Sequence, residues 1–250
     1  MHWPPLVINL KQHVTGKQVA DYCAAVASLT MQYEISVALC VPVADLDKAR
    51  RALDRVPHQI ILFSQKIDNV ATGESRTGAV CVDSLVGVAD GTLLNHCEAR
   101  IYHNSSPPEK LNELLATIKK ACDKGLRVIV CADGAETVSR IAPFLLGTCA
   151  IAVEWDDFIG QRISILKEKK EELQKTLDAV KKINPTIPVY AGAGIEEPDD
   201  VIEFLRMGGT GVLAATAFTK APKYGRDYVR AVREVLEKIK TYKENNVPVT

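Results

Sequence analysis

Cys149-Ala150-Ile151-Ala152-Val153-Glu154-Trp155-Asp156-Asp157-Phe158-Ile159-Gly160 is the stretch whose reading decides the fold. An apolar run, Cys149–Glu154, ends in a lone carboxylate, and a short loop leads on to a glycine. A near-continuous apolar run of this length marks a strand covered on both faces, as in a parallel sheet. Asn9-Leu10-Lys11 and Asn95-His96-Cys97-Glu98 close two other such runs in the same manner. A base, an electrophile and a cation then stand where three strands run out, which points to one site at the mouth of a parallel barrel.

Working outward, the candidate strands are Leu6–Leu10, Ser36–Val41, Gln59–Gln65, Gly91–Asn95, Leu126–Ala132, Cys149–Glu154, Pro188–Ala193 and Gly209–Ala215. Amphipathic stretches separate them. Val19, Tyr22, Cys23 and Val26 share a face in the first, Leu173, Leu177 and Val180 in the sixth, and Val229, Val232, Leu236 and Ile239 in the last. Eight alternations within 250 residues favour a single (β/α)8 barrel domain over residues 1–250 rather than an open doubly wound sheet. The Lys167–Lys175 charge run mixes signs at helical spacing and reads as a solvated helix face.

Lys plus Arg and Asp plus Glu each number 31, which leaves no electrostatic footprint for nucleic acid. No apolar run approaches the roughly 20 residues that span a bilayer, so no membrane partner is expected. Met1-His2-Trp3-Pro4-Pro5 shows no basic-then-apolar leader, and the expectation is a cytoplasmic chain. The seven cysteines are scattered, with no C-x-x-C pair and no metal-ligand spacing, as for reduced thiols and no bound metal. Cys97, beside His96, reads better as a small loop residue than as a nucleophile.

Taken singly, the three strand-end groups have ordinary readings: Lys11 as a surface lysine, His96 as a turn residue, Glu154 as the point where a strand meets water. Together at the catalytic end of one barrel they read as an active site. Two further segments point to phosphate. Tyr190-Ala191-Gly192-Ala193-Gly194-Ile195 ends the seventh strand and Gly211-Val212-Leu213-Ala214-Ala215-Thr216 the eighth. Small residues there let backbone N–H groups approach a phosphate, although they also permit tight turns.

With these residues in view, the chain resembles triosephosphate isomerase, in its short archaeal-type branch, over essentially its whole length. Val7-Ile8-Asn9-Leu10-Lys11 is similar to that family's first-strand motif. Ser64-Gln65-Lys66-Ile67-Asp68 and Ser75-Arg76-Thr77-Gly78 are similar to its third strand and protruding third loop. Gly91–Arg100 resembles its fourth-strand block, with Cys97 in place of the usual serine. Glu154, Gly160, Gly194, Ala215 and Thr216 fall on the catalytic glutamate, the start of the flexible sixth loop and the phosphate-binding loops.

The resemblance implies a TIM barrel that interconverts D-glyceraldehyde 3-phosphate and dihydroxyacetone phosphate, an enzyme of glycolysis and gluconeogenesis. Glu154 would be the base, neutral His96 the electrophile and Lys11 the stabilising cation. Asn9, Gly160, Gly194, Ala215 and Thr216 would bind the three-carbon sugar phosphate, and Glu98 would pair with Lys11 in the empty site. No cofactor is implied. Thr77 would insert beside the catalytic lysine of a second subunit, a homodimer, with pairing into a homotetramer as the further arrangement this branch implies.

The sixth loop departs from the family. Trp155 stands where a proline is usual, and after Gly160, where Thr-Gly and then a Ser a few residues on are usual, the run is Gln161-Arg162-Ile163-Ser164-Ile165-Leu166. Either Arg162 adds a guanidinium to the phosphate and activity survives, or the lid closes poorly. In the second case the chain is a catalytically weakened or inactive relative that binds or senses a phosphate ligand. Retention of Asn9, Lys11, His96 and Glu154 favours the first.

Overall fold

A computed structural model describes residues 2–161, 163–195, 197–219 and 227–246. Eight strands form one closed, all-parallel barrel in sequence order. They are β1 (Leu6–Asn9), β2 (Val37–Val41), β3 (Ile60–Ser64), β4 (Gly91–Leu94), β5 (Arg127–Ala132), β6 (Cys149–Glu154), β7 (Val189–Gly192) and β8 (Gly211–Ala214). Each lies inside the run expected for it. The coat comprises α1 (Gln18–Tyr33), α2 (Leu46–Leu53), α3 (Pro108–Asp123), α4 (Ala135–Ile141), α5 (Ile165–Glu168), α6 (Lys170–Ile183), α7 (Pro198–Arg206), α8 (Thr216–Thr219) and α9 (Tyr228–Asn245). The apolar faces read for α1 and α6 are buried, as are Val232, Leu236 and Ile239 of α9, with Val229 half-buried.

The expected alternation fails once. Residues 65–90, between β3 and β4, carry a single 3-10 turn, Val82–Leu85, and no α-helix. Gly73, Gly78 and Gly87 take left-handed backbone there, which interrupts any helical run. Thr77 is exposed in this long connection.

The period-2 alternation of the strands sorts their side chains into two cores. On β6, Cys149, Ile151 and Val153 face the helices, whereas Ala150 and Ala152 face the barrel axis. By the same parity Glu154 points inward, as does Asn9, two residues beyond inward-facing Val7. The interior is filled unevenly. Trp3, Phe63 and Tyr190 plug the N-terminal end, with Tyr190 Oη donating to the Pro4 carbonyl at 2.9 Å. Small residues such as Ala152 and Cys131 leave the C-terminal end open.

Closure runs through β1 and β8, where Leu6, Val7 and Ile8 face Val212, Leu213 and Ala214. At the seam a Cβ on Gly211 would lie 2.0 Å from the Pro5 carbonyl oxygen and 2.5 Å from its carbon. Backbone on both sides cannot yield as a side chain does. We expect Gly211→Ala to destabilise the barrel by roughly 1–3 kcal/mol. Thermal denaturation should show Tm lowered by roughly 5 °C at this chain length; an unchanged Tm would mean the seam opens at no cost.

Candidate active site

Three side-chain amides set the loop ends from which the polar groups project. Lys11 adopts left-handed backbone (φ 46°), an uncommon state for a residue with a Cβ. Asn9 Oδ1 accepts its N–H at 3.0 Å, and the Gln65 amide donates to the Lys11 carbonyl at 3.0 Å. The Gln65 amide also reaches Asn9 Oδ1 and the Cys40 carbonyl, both at 3.2 Å, which joins the ends of β1, β2 and β3. Buried Asn95 (φ 60°) does the same after β4. Its amide nitrogen donates to the carbonyls of Tyr102 and Cys131, and its oxygen accepts the N–H groups of Ile101 and Tyr102.

His96 follows and caps the short turn Cys97–Ala99. Its Nδ1 accepts the Glu98 N–H at 3.3 Å. An accepting Nδ1 carries no hydrogen, which leaves Nε2 as the N–H that faces the cavity. Nε2 lies 3.8 Å from Glu154 Oε1. Cys97 has its Sγ 3.6 Å from His96 Nδ1, and burial, with help from the Glu154 and Glu98 carboxylates, pushes its thiol up to about 11. It is therefore protonated at neutral pH and is no nucleophile.

Glu154 is only 4% exposed, and its Oε2 is buried without a hydrogen-bond partner. No donor among the described residues occupies that oxygen, which leaves it to a group entering the cavity. Room for Glu154 comes from β7. Gly192 is its ladder partner, and a Cβ there would lie 2.7 Å from Glu154 Cγ and 3.0 Å from Oε1. Beneath it, burial and the neighbouring Glu154 carboxylate raise the Cys131 thiol well above its ordinary range.

Lys11 Nζ meets Glu98 Oε1 at 2.7 Å. Burial pushes the Glu98 carboxyl up, but its hydrogen bond and charge contact with Lys11 outweigh that and hold it below the ordinary carboxylate range. The Glu98 side chain is 59% exposed, so the pair is screened and worth little, roughly 1 kcal/mol or less. Lys11 is thus released to an incoming anion at small cost.

Gly160 and Gly194 both take left-handed backbone (φ 77° and 68°). A Cβ on Gly194 would sit 1.8 Å from the Ile163 carbonyl oxygen, so only glycine lets the β7 loop touch the segment after Gly160. The departure at Trp155 and the residue after it have their own structural roles. Trp155 packs against the core, and the Arg100 guanidinium binds both Asp156 oxygens at 3.0 and 2.6 Å. Arg162 lies outside the described residues.

The expected site residues that are described line one cavity of about 350 Å³. The polar side chains Asn9, Lys11, His96, Glu98 and Glu154 and the small residues Gly160, Gly194, Ala215 and Thr216 all line it. His13, two residues beyond Lys11, also lines it and was not among them. The signal for it was available, since it lies on the same strand end as Asn9 and Lys11. Among the described residues no group of His, Cys, Asp or Glu could hold a metal, and no helix is long and apolar enough to cross a membrane.

The triosephosphate isomerase family model matches residues 4–235. Triosephosphate isomerase of Methanosarcina mazei is 31% identical over 237 residues, covering 92% of this chain and 99% of that one. Its counterpart from Pyrobaculum islandicum is 32% identical over 224 residues, covering 88% and 91%. Among solved structures, triosephosphate isomerase from Bartonella henselae superposes with a TM-score of 0.69 over 95% of this chain and 98% of that one, at 16% identity. That last likeness is one of fold.

The Gly192–Glu154 contact yields a test. Gly192→Ala should displace the carboxylate by about an ångström and lower kcat on the order of 100-fold, with Tm changed far less. Steady-state kinetics beside thermal denaturation check this; full activity would show that Glu154 is not held by β7.

Proposed function

The chain belongs to the triosephosphate isomerase family, and from that premise we infer how its cavity interconverts D-glyceraldehyde 3-phosphate and dihydroxyacetone phosphate. The observation that carries the reading is the buried Glu154 carboxylate, with one oxygen unpartnered and the other 3.8 Å from His96 Nε2. A carboxylate in water is too weak a base for a carbon acid. Held dry against a polarised carbonyl, it can take the proton from the carbon beside that carbonyl.

In this reading His96 donates its Nε2 hydrogen to the substrate carbonyl oxygen, then serves the second oxygen as the enediolate collapses. Lys11, released from Glu98, places its charge by the enediolate and the phosphate, where negative charge develops. Asn9 orients the substrate. Gly160, Gly194, Ala215 and Thr216 let backbone approach the phosphate. The segment from Trp155 to Gly160, tied down through Asp156 to Arg100, closes over the site and protects the enediolate from losing phosphate. The reaction moves protons and no electrons leave the substrate, so these side chains suffice for it.

We place the enzyme in the cytoplasm as a homodimer. The exposed loop that carries Thr77 would reach beside the partner's lysine, with assembly of dimers into a tetramer as the larger arrangement.

The experiment is turnover of D-glyceraldehyde 3-phosphate in a coupled assay for dihydroxyacetone phosphate, with Glu154→Gln beside the wild type. The amide keeps the shape and removes the base, and kcat should fall by roughly 100- to 10,000-fold. Equal rates in the two proteins would remove Glu154 from the reaction.

A further inference from the structure

Two cysteines that the proposed reaction does not use meet at the end of the barrel away from the cavity. Cys149 opens β6, and Glu154, which closes it, lines the cavity. Five strand steps, about 16 Å, separate the two. Cys122 stands one residue before the end of α3. Its Sγ lies 3.5 Å from that of Cys149, across 27 positions of sequence. The meeting is built into the fold rather than into a loop: Ala121 is fully buried, and Cys149 pairs with Val128 in the barrel ladder. A disulfide holds its sulfurs at about 2.05 Å, so side-chain movement of about 1.5 Å would bring the pair to bonding distance.

The two thiols are unlike. Cys149 is buried, whereas Cys122 is half-buried and followed by exposed Asp123, Lys124 and Gly125, which puts it within reach of a small solute. The Cys149 hydrogen bond stabilises a Cys122 thiolate, and Thr148 Oγ1, 3.4 Å away, and the Lys119 charge add to it. These outweigh burial and the Asp123 carboxylate, and hold Cys122 below the ordinary thiol range. Cys149, the donor in that pair and buried besides, is pushed up. Burial likewise pushes up Cys23, Cys40, Cys97 and Cys131. A thiolate, not a thiol, attacks an oxidant.

We propose that Cys122 and Cys149 are a redox modification site, at which a peroxide forms an intramolecular disulfide that staples the end of α3 to the start of β6. The Cys122 thiolate attacks one peroxide oxygen, the O–O bond breaks, and the other oxygen leaves as hydroxide. Cys122 is then a sulfenic acid, oxidised by the two electrons that reduce the peroxide. The Cys149 sulfur attacks it, an S–S bond forms as the S–O bond breaks, and the departing hydroxide takes the Cys149 proton. Two thiols and one hydrogen peroxide thus give one disulfide and two waters. A dithiol reverses the change. The bridge closes residues 122–149, with β5 and α4 inside, into a covalent ring. Nothing in this depends on the reaction assigned to the cavity.

The experiment is treatment of the folded protein with stoichiometric hydrogen peroxide, alkylation of the remaining thiols, and mass-spectrometric peptide mapping without reduction. The Cys122 and Cys149 peptides should be found joined within one chain and should separate again in dithiothreitol. Tm of the oxidised protein should exceed that of the reduced protein by roughly 5 °C, because the ring restricts the unfolded chain. In Cys149→Ala the sulfenic acid has no partner and should be captured by dimedone at Cys122; in Cys122→Ser, Cys149 should remain a thiol. Both cysteines alkylated while other thiols are oxidised, or Cys122 joined to a different cysteine, would overturn the proposal. An oxidised protein that melts no higher than the reduced one would overturn the staple. The wild-type map decides the matter even if neither variant folds.

Discussion

Parallel closure of β8 on β1 is the constraint on which the remaining structure depends. A parallel sheet sends all its strands out at one edge, and closing it turns that edge into a ring. Groups from positions 9, 96, 154, 194 and 215, far apart in the chain, are thereby brought to one rim. The seam admits no alternative at Gly211, where two backbones meet at a distance a side chain would block. Large aromatics at the N-terminal end and small residues at the other then leave the cavity at the edge where the polar groups stand.

Within that ring the proposed chemistry depends on a buried carboxylate. Glu154 follows the inward parity of β6, and its space exists because β7 offers glycine as the ladder partner. His96 is oriented by a backbone amide, and Lys11 is held by a pair weak enough to give way. Each polar group is positioned by a group to which the proposed reaction gives no chemical step. Gln65 and Asn95 do this for the loop ends, and Arg100 does it for the start of the sixth loop.

Most of this was legible in the sequence. Buried parallel strands leave apolar runs that the eye can count, and all eight were placed to within two residues. Strand ends bearing Asn9, Lys11, His96 and Glu154 announced the site because polar residues seldom interrupt such runs without cause. What escaped has physical reasons. The third connection forms no α-helix, since its glycines break a pattern that only counting alternations had supplied. Trp155 reads as a departure from the family's lid, yet the next residue, Asp156, gains Arg100 from the loop after β4, a contact that no local pattern encodes. His13 meets a hydroxyl, that of Thr219, more than 200 residues away in sequence. A contact of that kind appears only once the chain is folded.

The central claim is that Glu154 moves a proton through an enediolate, and solvent exchange tests it most directly. Turnover of D-glyceraldehyde 3-phosphate in D₂O, followed by proton NMR, reads whether the hydrogen of the intermediate was open to solvent. The account predicts dihydroxyacetone phosphate in which a substantial fraction carries one deuterium on its hydroxymethyl carbon, because a proton parked on a carboxyl group exchanges. Product formed at full rate with every hydrogen retained would indicate a direct hydride shift, in which a carboxylate base has no part, and would contradict it.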